Sequence, residues 1–425
     1  MTTPDLLSEP LVPSPQSLPT VASIARGMLL QRLGGLKEGE VILEDFDTRR
    51  FGRVSEDFPF SVVLTVIHPD FYADVVLGGS VGAGEGYMAG RWRCSDLTAL
   101  TRILLRNRQV LDGLDGGLSL IATPLRKLLH NLHRNTRRGS RRNIAAHYDL
   151  GNEFFQLFLD ETLMYSCALF ESPEQSLADA SIAKIDRICR KLALGPEDHV
   201  MEIGTGWGGF ALHAARHYGC RITTTTISEN QYALAWQRVA EAGLTDRVTI
   251  LLKDYRDLQG QYDKLVSIEM IEAVGHQYFG TFFRQCASLL KPGGQMLLQA
   301  ITIADQQYAS ARDEVDFIKR YIFPGCCIPS ITALCDAMTR SSDLRVFHLE
   351  DIGPHYATTL ESWRRNLLAR TDEALALGYS EEFLRLWEFY FSYCSGGFAE
   401  RALGDTQMLL IKPCCHREPL TPAII

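Results

Sequence analysis

The chain reads as an α/β protein in which a smaller α+β domain precedes a doubly wound, largely parallel sheet. Three observations predict this. Beyond residue 180, short β-rich runs alternate with helical stretches, the pattern of a parallel sheet with helices packed on its faces. Before residue 115 the pattern differs, with period-two alternation and glycine-rich turns. The length, 425 residues, exceeds the ~100–200 residues that one ordinary core organises, so two domains are expected.

The composition is that of a folded chain. It is 46% hydrophobic and 22% charged, with 34 Gly and 17 Pro, which excludes disordered and collagen-like classes. Lys and Arg number 43 against 51 Asp and Glu, a net charge of −8, which argues against wholesale nucleic-acid binding. The 11 cysteines are scattered, with one adjacent pair, Cys326-Cys327, and no C-x-x-C spacing. Reduced thiols fit better than a disulfide framework, and no metal site is expected. The opening MTTPDLLSEPLVPSPQSLPT carries acids and prolines where a secretion signal needs a basic start and an apolar run. No segment reaches the ~18–20 apolar residues of a spanning helix. The expectation is a cytoplasmic protein whose contact with the inner face of the membrane is peripheral.

Taken in order, residues 1–20 are Pro/Ser-rich and are expected to form a disordered tail. Residues 21–35 (VASIARGMLLQRLGG) read as an amphipathic helix closed by glycines. From Val41, alternation in RRFGRV and FSVVLTVIH predicts an antiparallel sheet. GGSVGAGEGYMAGRW then supplies turns and LTALTRILLRN a helix, so an α+β, lipid-engaging domain is expected over residues 21–120. Residues 121–142 read as a basic linker, with Arg126, Lys127, Arg134, Arg137, Arg138, Arg141 and Arg142 and no acid from 125 to 142. A solvated linker is the plain reading. The functional one is a stretch that meets anionic headgroups, at ~1 kcal/mol per basic residue near the surface. Residues 143–415 form the second domain. Its strands are HVMEI, CRITTTTI, RVTILL, DKLVSIE and QMLLQAI, separated by helices such as GFALHAARHYG and ENQYALAWQRVAEAG. MLLIKP adds one more strand late.

The first strand of the second domain runs into Met201-Glu-Ile-Gly-Thr-Gly-Trp-Gly-Gly209, which opens a helix. Glycines there let the backbone approach a ligand, and the helix N-terminus offers free N–H donors. A dinucleotide site would place an acid about 20 residues on, at the end of the second strand. That strand instead ends in Thr223-Thr224-Thr225-Thr226, and Glu229 comes only after the turn. The E-x-G-x-G pattern with Glu202 resembles class I S-adenosylmethionine methyltransferases, which have a Rossmann-like fold. Asp254-Tyr255 after the third strand, where that fold places adenine-recognising groups, and Lys291-Pro-Gly-Gly294 before a later strand agree with it.

Further segments resemble the cyclopropane-fatty-acyl-phospholipid synthase family, which includes the mycolic acid cyclopropane synthases. They are Ala146-His-Tyr-Asp-Leu-Gly-Asn152, Met164-Tyr-Ser-Cys-Ala168, Thr226-Ile-Ser-Glu-Asn-Gln231 and Glu269-Met-Ile-Glu-Ala-Val-Gly275. Tyr321-Ile-Phe-Pro324, His355-Tyr-Ala-Thr-Thr-Leu360 and Cys394-Ser-Gly-Gly-Phe398 follow in order. The first domain is similar to that of the full-length bacterial enzymes through Gly86-Tyr-Met-Ala-Gly-Arg-Trp92.

The resemblance implies methylene transfer from S-adenosylmethionine to the cis double bond of an unsaturated membrane phospholipid, with bound bicarbonate as the base. It implies a bicarbonate cradle of Cys167, Glu272, Gln299, Ile301 and Tyr356, and it labels Cys394 catalytic, although the reaction needs no covalent enzyme intermediate and a lining role fits better. The cofactor residues it implies are Tyr165, Ser166, Met201, Glu202, Ile203, Gly204, Thr205, Gly206, Trp207, Gly208, Gly209, Thr226, Ile227, Ser228, Glu229, Asn230, Gln231, Tyr255 and Arg256. A carbocation on the substrate needs shielding and aromatic faces, for which Tyr165, Phe279, Tyr321, Phe323, Tyr356, Tyr390 and Phe398 are candidates. Two positions depart from the bacterial pattern: Gln299 stands where those enzymes have His, and Glu272-Ala-Val-Gly where they have Glu-His-Val-Gly. The Gln299 amide can donate to an anion as an imidazole N–H would, but it cannot become cationic. The alternatives are a methyl-branched or methylated lipid product, a small-molecule N-methyltransferase, and a non-catalytic lipid-binding protein. A homodimer is a further partner expectation.

Overall fold

The structure, a computed structural model, describes residues 18–108 and 150–420. The basic linker and most of the N-terminal tail therefore lie outside the described residues. Along the chain run α1 (Thr20–Leu33), β1 (Gly39–Glu44), β2 (Thr48–Arg53), β3 (Ser61–Val66), α2 (Asp70–Met88), β4 (Trp92–Cys94) and α3 (Leu97–Arg106). After the gap come α4 (Asn152–Gln156), α5 (Leu177–Leu192), β5 (His199–Ile203), α6 (Gly209–Tyr218), β6 (Arg221–Thr226), α7 (Glu229–Glu241), β7 (Val248–Leu252) and β8 (Tyr262–Ile268). The rest is α8 (Phe279–Leu289), β9 (Leu290–Ile303), α9 (Asp305–Asp313), α10 (Ile331–Ser341), β10 (Arg345–Asp351), α11 (Gly353–Ala369), α12 (Thr371–Ala376), α13 (Glu381–Ala399) and β11 (Leu403–Ile411). The described residues divide into two units, 18–108 with 371–400, and 150–370 with 401–420.

The first unit holds a four-stranded sheet in the order β2-β1-β3-β4. It is mixed rather than antiparallel as expected, because β1 and β3 pair in parallel. That register sets Val41 beside Val62 and Leu43 beside Leu64, so the buried side chains of both strands fall on one face. The segment GGSVGAGEGYM, expected to turn, is helical within α2, with a kink at Gly79 (φ 57°). Its glycines serve close packing. A Cβ on Gly82 would overlap the Asp74 carbonyl, and one on Gly86 would crowd Trp92 at 3.3 Å. Helix α13 completes this unit, where Tyr87 donates to Glu388 Oε2 (2.8 Å) and Arg102 Nε to Glu400 Oε1 (2.7 Å).

The second unit is built on a seven-stranded sheet, β10-β11-β9-β8-β5-β6-β7. Strands β9, β8, β5, β6 and β7 are parallel, as the alternating pattern predicts, while β11 runs antiparallel to both β9 and β10. Helices α5 and α6 cover one face around Ile185, Ile188, Val200, Phe210, Leu297 and Leu409. Helices α8 and α10 cover the other around Phe282, Phe283, Leu298, Leu334 and Met408. Strand β5, the first of this unit, lies between β8 and β6, so strand order reverses there. In such sheets ligands bind at the carboxyl ends of the strands beside this point. Among the described residues no helix is long and apolar enough to cross a membrane.

Candidate active site

Strand β5 delivers its chain into the glycine loop. Gly204, Gly206 and Gly208 hold φ of 103°, 51° and 86°, a region that favours glycine. A Cβ on Gly206 would meet nothing within 4 Å, so the space before the loop is open. Behind it Glu202 is buried and its Oε2 has no hydrogen-bond partner. Burial pushes this carboxyl up to about 8, opposed by Thr224 and by the Lys184 charge. An unsatisfied acceptor behind a glycine loop that opens a helix suits a ligand with donor groups.

The other implied cofactor residues frame the same strand ends. Thr226 Oγ1 bonds the Gln231 carbonyl oxygen (2.8 Å), and Ser228 caps α7 by accepting from Gln231 N. Ile227 is half-buried, and Glu229 and Asn230 are exposed in the first turn. Thr205 shares a hydrogen bond with Thr224 (2.7 Å), and Trp207 Nε1 donates to Asn152 Oδ1 (2.8 Å). Met201 and Ile203 are core residues of β5, and Gly209 starts α6 in a space too tight for a Cβ, 2.7 Å from Met164 Sδ. Arg256 makes two bonds to Asp254 (2.8 and 2.6 Å) and lies beside the Tyr255 ring. Its charge organises that turn. Ser166 Oγ accepts from Lys184 Nζ (2.7 Å).

Three residues of the expected cradle close around a carboxylate of the chain itself, and the other two, Glu272 and Ile301, bond each other. Glu269, directly after β8, takes Cys167 N (2.8 Å) and Gln299 Nε2 (2.8 Å) on Oε1 and the Tyr356 hydroxyl (2.6 Å) on Oε2. The donors expected for bicarbonate are taken by these two carboxyls, Cys167 N, Gln299 and Tyr356 by Glu269 and Ile301 N by Glu272, so the residues present do not fit a bound bicarbonate. Glu269 sits at φ 47°, a left-handed conformation costly for a residue with a side chain and tolerated where the surroundings impose it. Gln299 also donates to Asp405 Oδ2 (2.8 Å). Glu272 Oε1 accepts from Ile301 N (2.5 Å), and its buried Oε2 has no partner.

Three buried acids thus share one site, and their surroundings assign the charge. Burial raises all three above the ordinary carboxylate range, Glu272 to about 8 and Asp405 well above its usual value. Glu269 differs because Tyr356, the Lys184 ammonium, Cys167 N–H and Gln299 all favour its ionised form. Glu269 therefore carries the charge while Glu272 and Asp405 stay neutral. A buried base with a raised pKa is suited to accept a proton near neutral pH.

The neutral Glu272 has a consequence for stability. Its folded pKa of about 8 lies above the ordinary value of 4.5. The folded state therefore binds more protons than the unfolded state between these values, and stability falls as pH rises through them. Glu272→Gln is expected to match wild type in thermal unfolding below pH ~4.5 and to exceed it by a margin that grows up to pH ~8 and then levels off.

Of the aromatic candidates, Tyr165 and Tyr356 lie beside Trp363, and Phe323 lies beside Tyr165. Tyr165 lies 5.2 Å from Trp363 and 6.3 Å from Phe323, and Tyr356 lies 6.0 Å from Trp363. Phe155 and Phe158 extend the cluster. Phe279 belongs to the core under α8, and Tyr321 pairs with Phe317. Tyr390, Cys394 and Phe398 lie on α13 of the first unit. The sequence reading did not single out Glu269, Asp405, Lys184 or Trp363. For Glu269 the available signal was two acids three residues apart in an apolar run at a strand end.

Comparison with known proteins identifies the family. Residues 135–408 match the mycolic acid cyclopropane synthetase family. The chain is 40% identical over 341 residues to tuberculostearic acid methyltransferase UfaA1 of Mycobacterium tuberculosis, covering 79% of each. It is 36% identical over 343 residues to cyclopropane-fatty-acyl-phospholipid synthase of Escherichia coli, covering 80% of this chain and 85% of that one. Mycolic acid cyclopropane synthase CmaA1, solved with SAH and CTAB, superposes with a TM-score of 0.60 at 32% identity over 64% of this chain and 98% of its own. The chain belongs to the mycolic acid cyclopropane synthetase family and is an S-adenosylmethionine-dependent methyltransferase.

Proposed function

We propose that this enzyme methylates the double bond of an unsaturated phospholipid acyl chain, with Glu269 accepting the proton that is lost, and releases a methylated, uncyclised chain. The observation that carries the reading is the Glu269 carboxylate held by Cys167 N, Gln299 and Tyr356. The glycine loop, Glu202, Thr226 to Gln231, Tyr255 and Ser166 would hold S-adenosylmethionine. When bound, it supplies an electrophilic sulfonium methyl.

The chain's own residues supply the rest. An alkene is a weak nucleophile, so it must be aligned and kept dry. The cluster of Tyr165, Phe323, Tyr356 and Trp363 provides apolar walls and ring faces toward a cation on the acyl chain. Glu269 offers an anionic acceptor fixed by three donors, and neutral Glu272 and Asp405 add no competing charge. The similarity to a tuberculostearic acid methyltransferase at 40% identity supports the uncyclised product. Ring closure to a cyclopropane is the second reading, supported by the 36% identity to a cyclopropane-fatty-acyl-phospholipid synthase. A lipid substrate also makes peripheral membrane contact part of this proposal.

The test is incubation with vesicles of monounsaturated phospholipid and a donor labelled with carbon-13 in its methyl group, followed by NMR and mass analysis of the fatty esters. The expected product carries label from the donor and an olefinic or exomethylene resonance. High-field ring protons would favour the second reading. Label transfer only to soluble amines would overturn both.

A further inference from the structure

Gln299 does not meet the carboxylates alone. Its carbonyl Oε1 accepts from Gln407 Nε2 (3.1 Å), and Gln407 Oε1 accepts from Lys191 Nζ (2.8 Å). Lys191 also bonds Glu350, which pairs with Arg187. The register explains the line-up: Gln299 on β9 stands directly opposite Gln407 on β11, and both side chains share the face covered by α5 with Leu297 and Leu409. Lys184 and Lys191 are seven residues apart on α5, two turns on one helix face. Gln299, Gln407 and Lys191 are buried, and Glu269 is half-buried.

An amide can present either its oxygen or its nitrogen, and its partners decide which. Here an ammonium at one end forces the Gln407 oxygen toward itself. The Gln407 NH₂ then faces the Gln299 oxygen, and the Gln299 NH₂ faces Glu269 and Asp405. Bonds in such a chain polarise one another in a low dielectric. Glu272 and Tyr356 also face Glu269, as do Lys184 and the Cys167 backbone. Among these contacts Gln299 leads, through Gln407, to a second cation.

We propose that Lys191 and Gln407 are positioning residues that hold the Gln299 amide with its NH₂ on Glu269 and so set the proton affinity of the base. The proposal rests on Glu269 being the proton acceptor. Donation favours ionised Glu269, so weakening it raises the pH at which the base becomes active.

The experiment is the pH dependence of kcat on unsaturated phospholipid vesicles, with thermal unfolding of each variant as a control. Gln407→Leu and Lys191→Gln are expected to move the acidic limb upward by about half to one pH unit, a roughly three- to tenfold loss below the limb. Little loss is expected above it, and KM for both substrates should be unchanged. Lys191→Arg, which keeps a cationic donor, should stay near wild type. Should Gln407→Leu fail to fold, Lys191→Gln decides alone, because it retains a donor for Gln407 and Glu350. An unmoved limb in the folded variants, whatever their melting temperatures, overturns the relay. Glu269→Gln separates the two claims: if it retains a normal acidic limb the base assignment falls, and if it abolishes the limb while the relay variants keep theirs, the relay alone falls.

Discussion

Glu269→Gln is expected to lower turnover on unsaturated phospholipid vesicles by ~10²–10⁴-fold, the range for loss of a positioned acid–base group. Affinity for S-adenosylhomocysteine, measured by calorimetry, should stay at the wild-type value. Gln has the same shape, and its carbonyl can still accept from Cys167 N and Gln299 Nε2 where Oε1 does now. Its NH₂ would face the Tyr356 hydroxyl, which can turn to accept instead of donate. The fold therefore tolerates the change, and what disappears is the capacity to take a proton. A variant that binds the cofactor normally and turns over normally would remove Glu269 from the chemistry.

Lys184→Met is expected to cost stability on the order of 3–5 kcal/mol, the range for leaving a buried charge without its partner. Lys184 is fully buried on α5, and its ammonium bonds Ser166. Burial lowers its pKa, while Glu269, Cys167, Asp405 and Asp160 act to raise it. Met fills the space of the stem but leaves Glu269 without that charge. At low pH Glu269 can protonate and escape the penalty; at high pH it cannot. The gap in melting temperature between wild type and Lys184→Met should therefore widen as pH rises, and a gap independent of pH would place the role of Lys184 in packing alone.

Much of this site was legible in the sequence because its parts are local. The glycine loop after β5, the parallel strands and the motif positions Cys167, Glu272, Gln299, Ile301 and Tyr356 each follow from short runs of residues. Glu269 was not singled out because its role depends on a left-handed backbone step after β8 and on donors from three distant segments. The same limit hides Lys184 and Lys191. Basic residues in an amphipathic helix read as solvated, and only the packing of α5 on β9 shows otherwise. Strand β10 escaped notice because its half-exposed sequence, RVFHLED, lacks a clear alternation. The glycines of α2 read as turns, while in the structure they let helix segments and Trp92 approach closely.

The central claim is that a side chain replaces a diffusible anion in the cradle, and removing bicarbonate tests it most directly. Wild-type turnover should be the same in buffer stripped of carbon dioxide and in buffer with added bicarbonate. Glu269→Gly, which relieves the left-handed backbone and empties the space between Cys167 N, Gln299 and Tyr356, should be nearly inactive without bicarbonate and should recover in part when it is added. A wild type that slows when bicarbonate is withdrawn, together with a Glu269→Gly variant indifferent to it, would contradict the account.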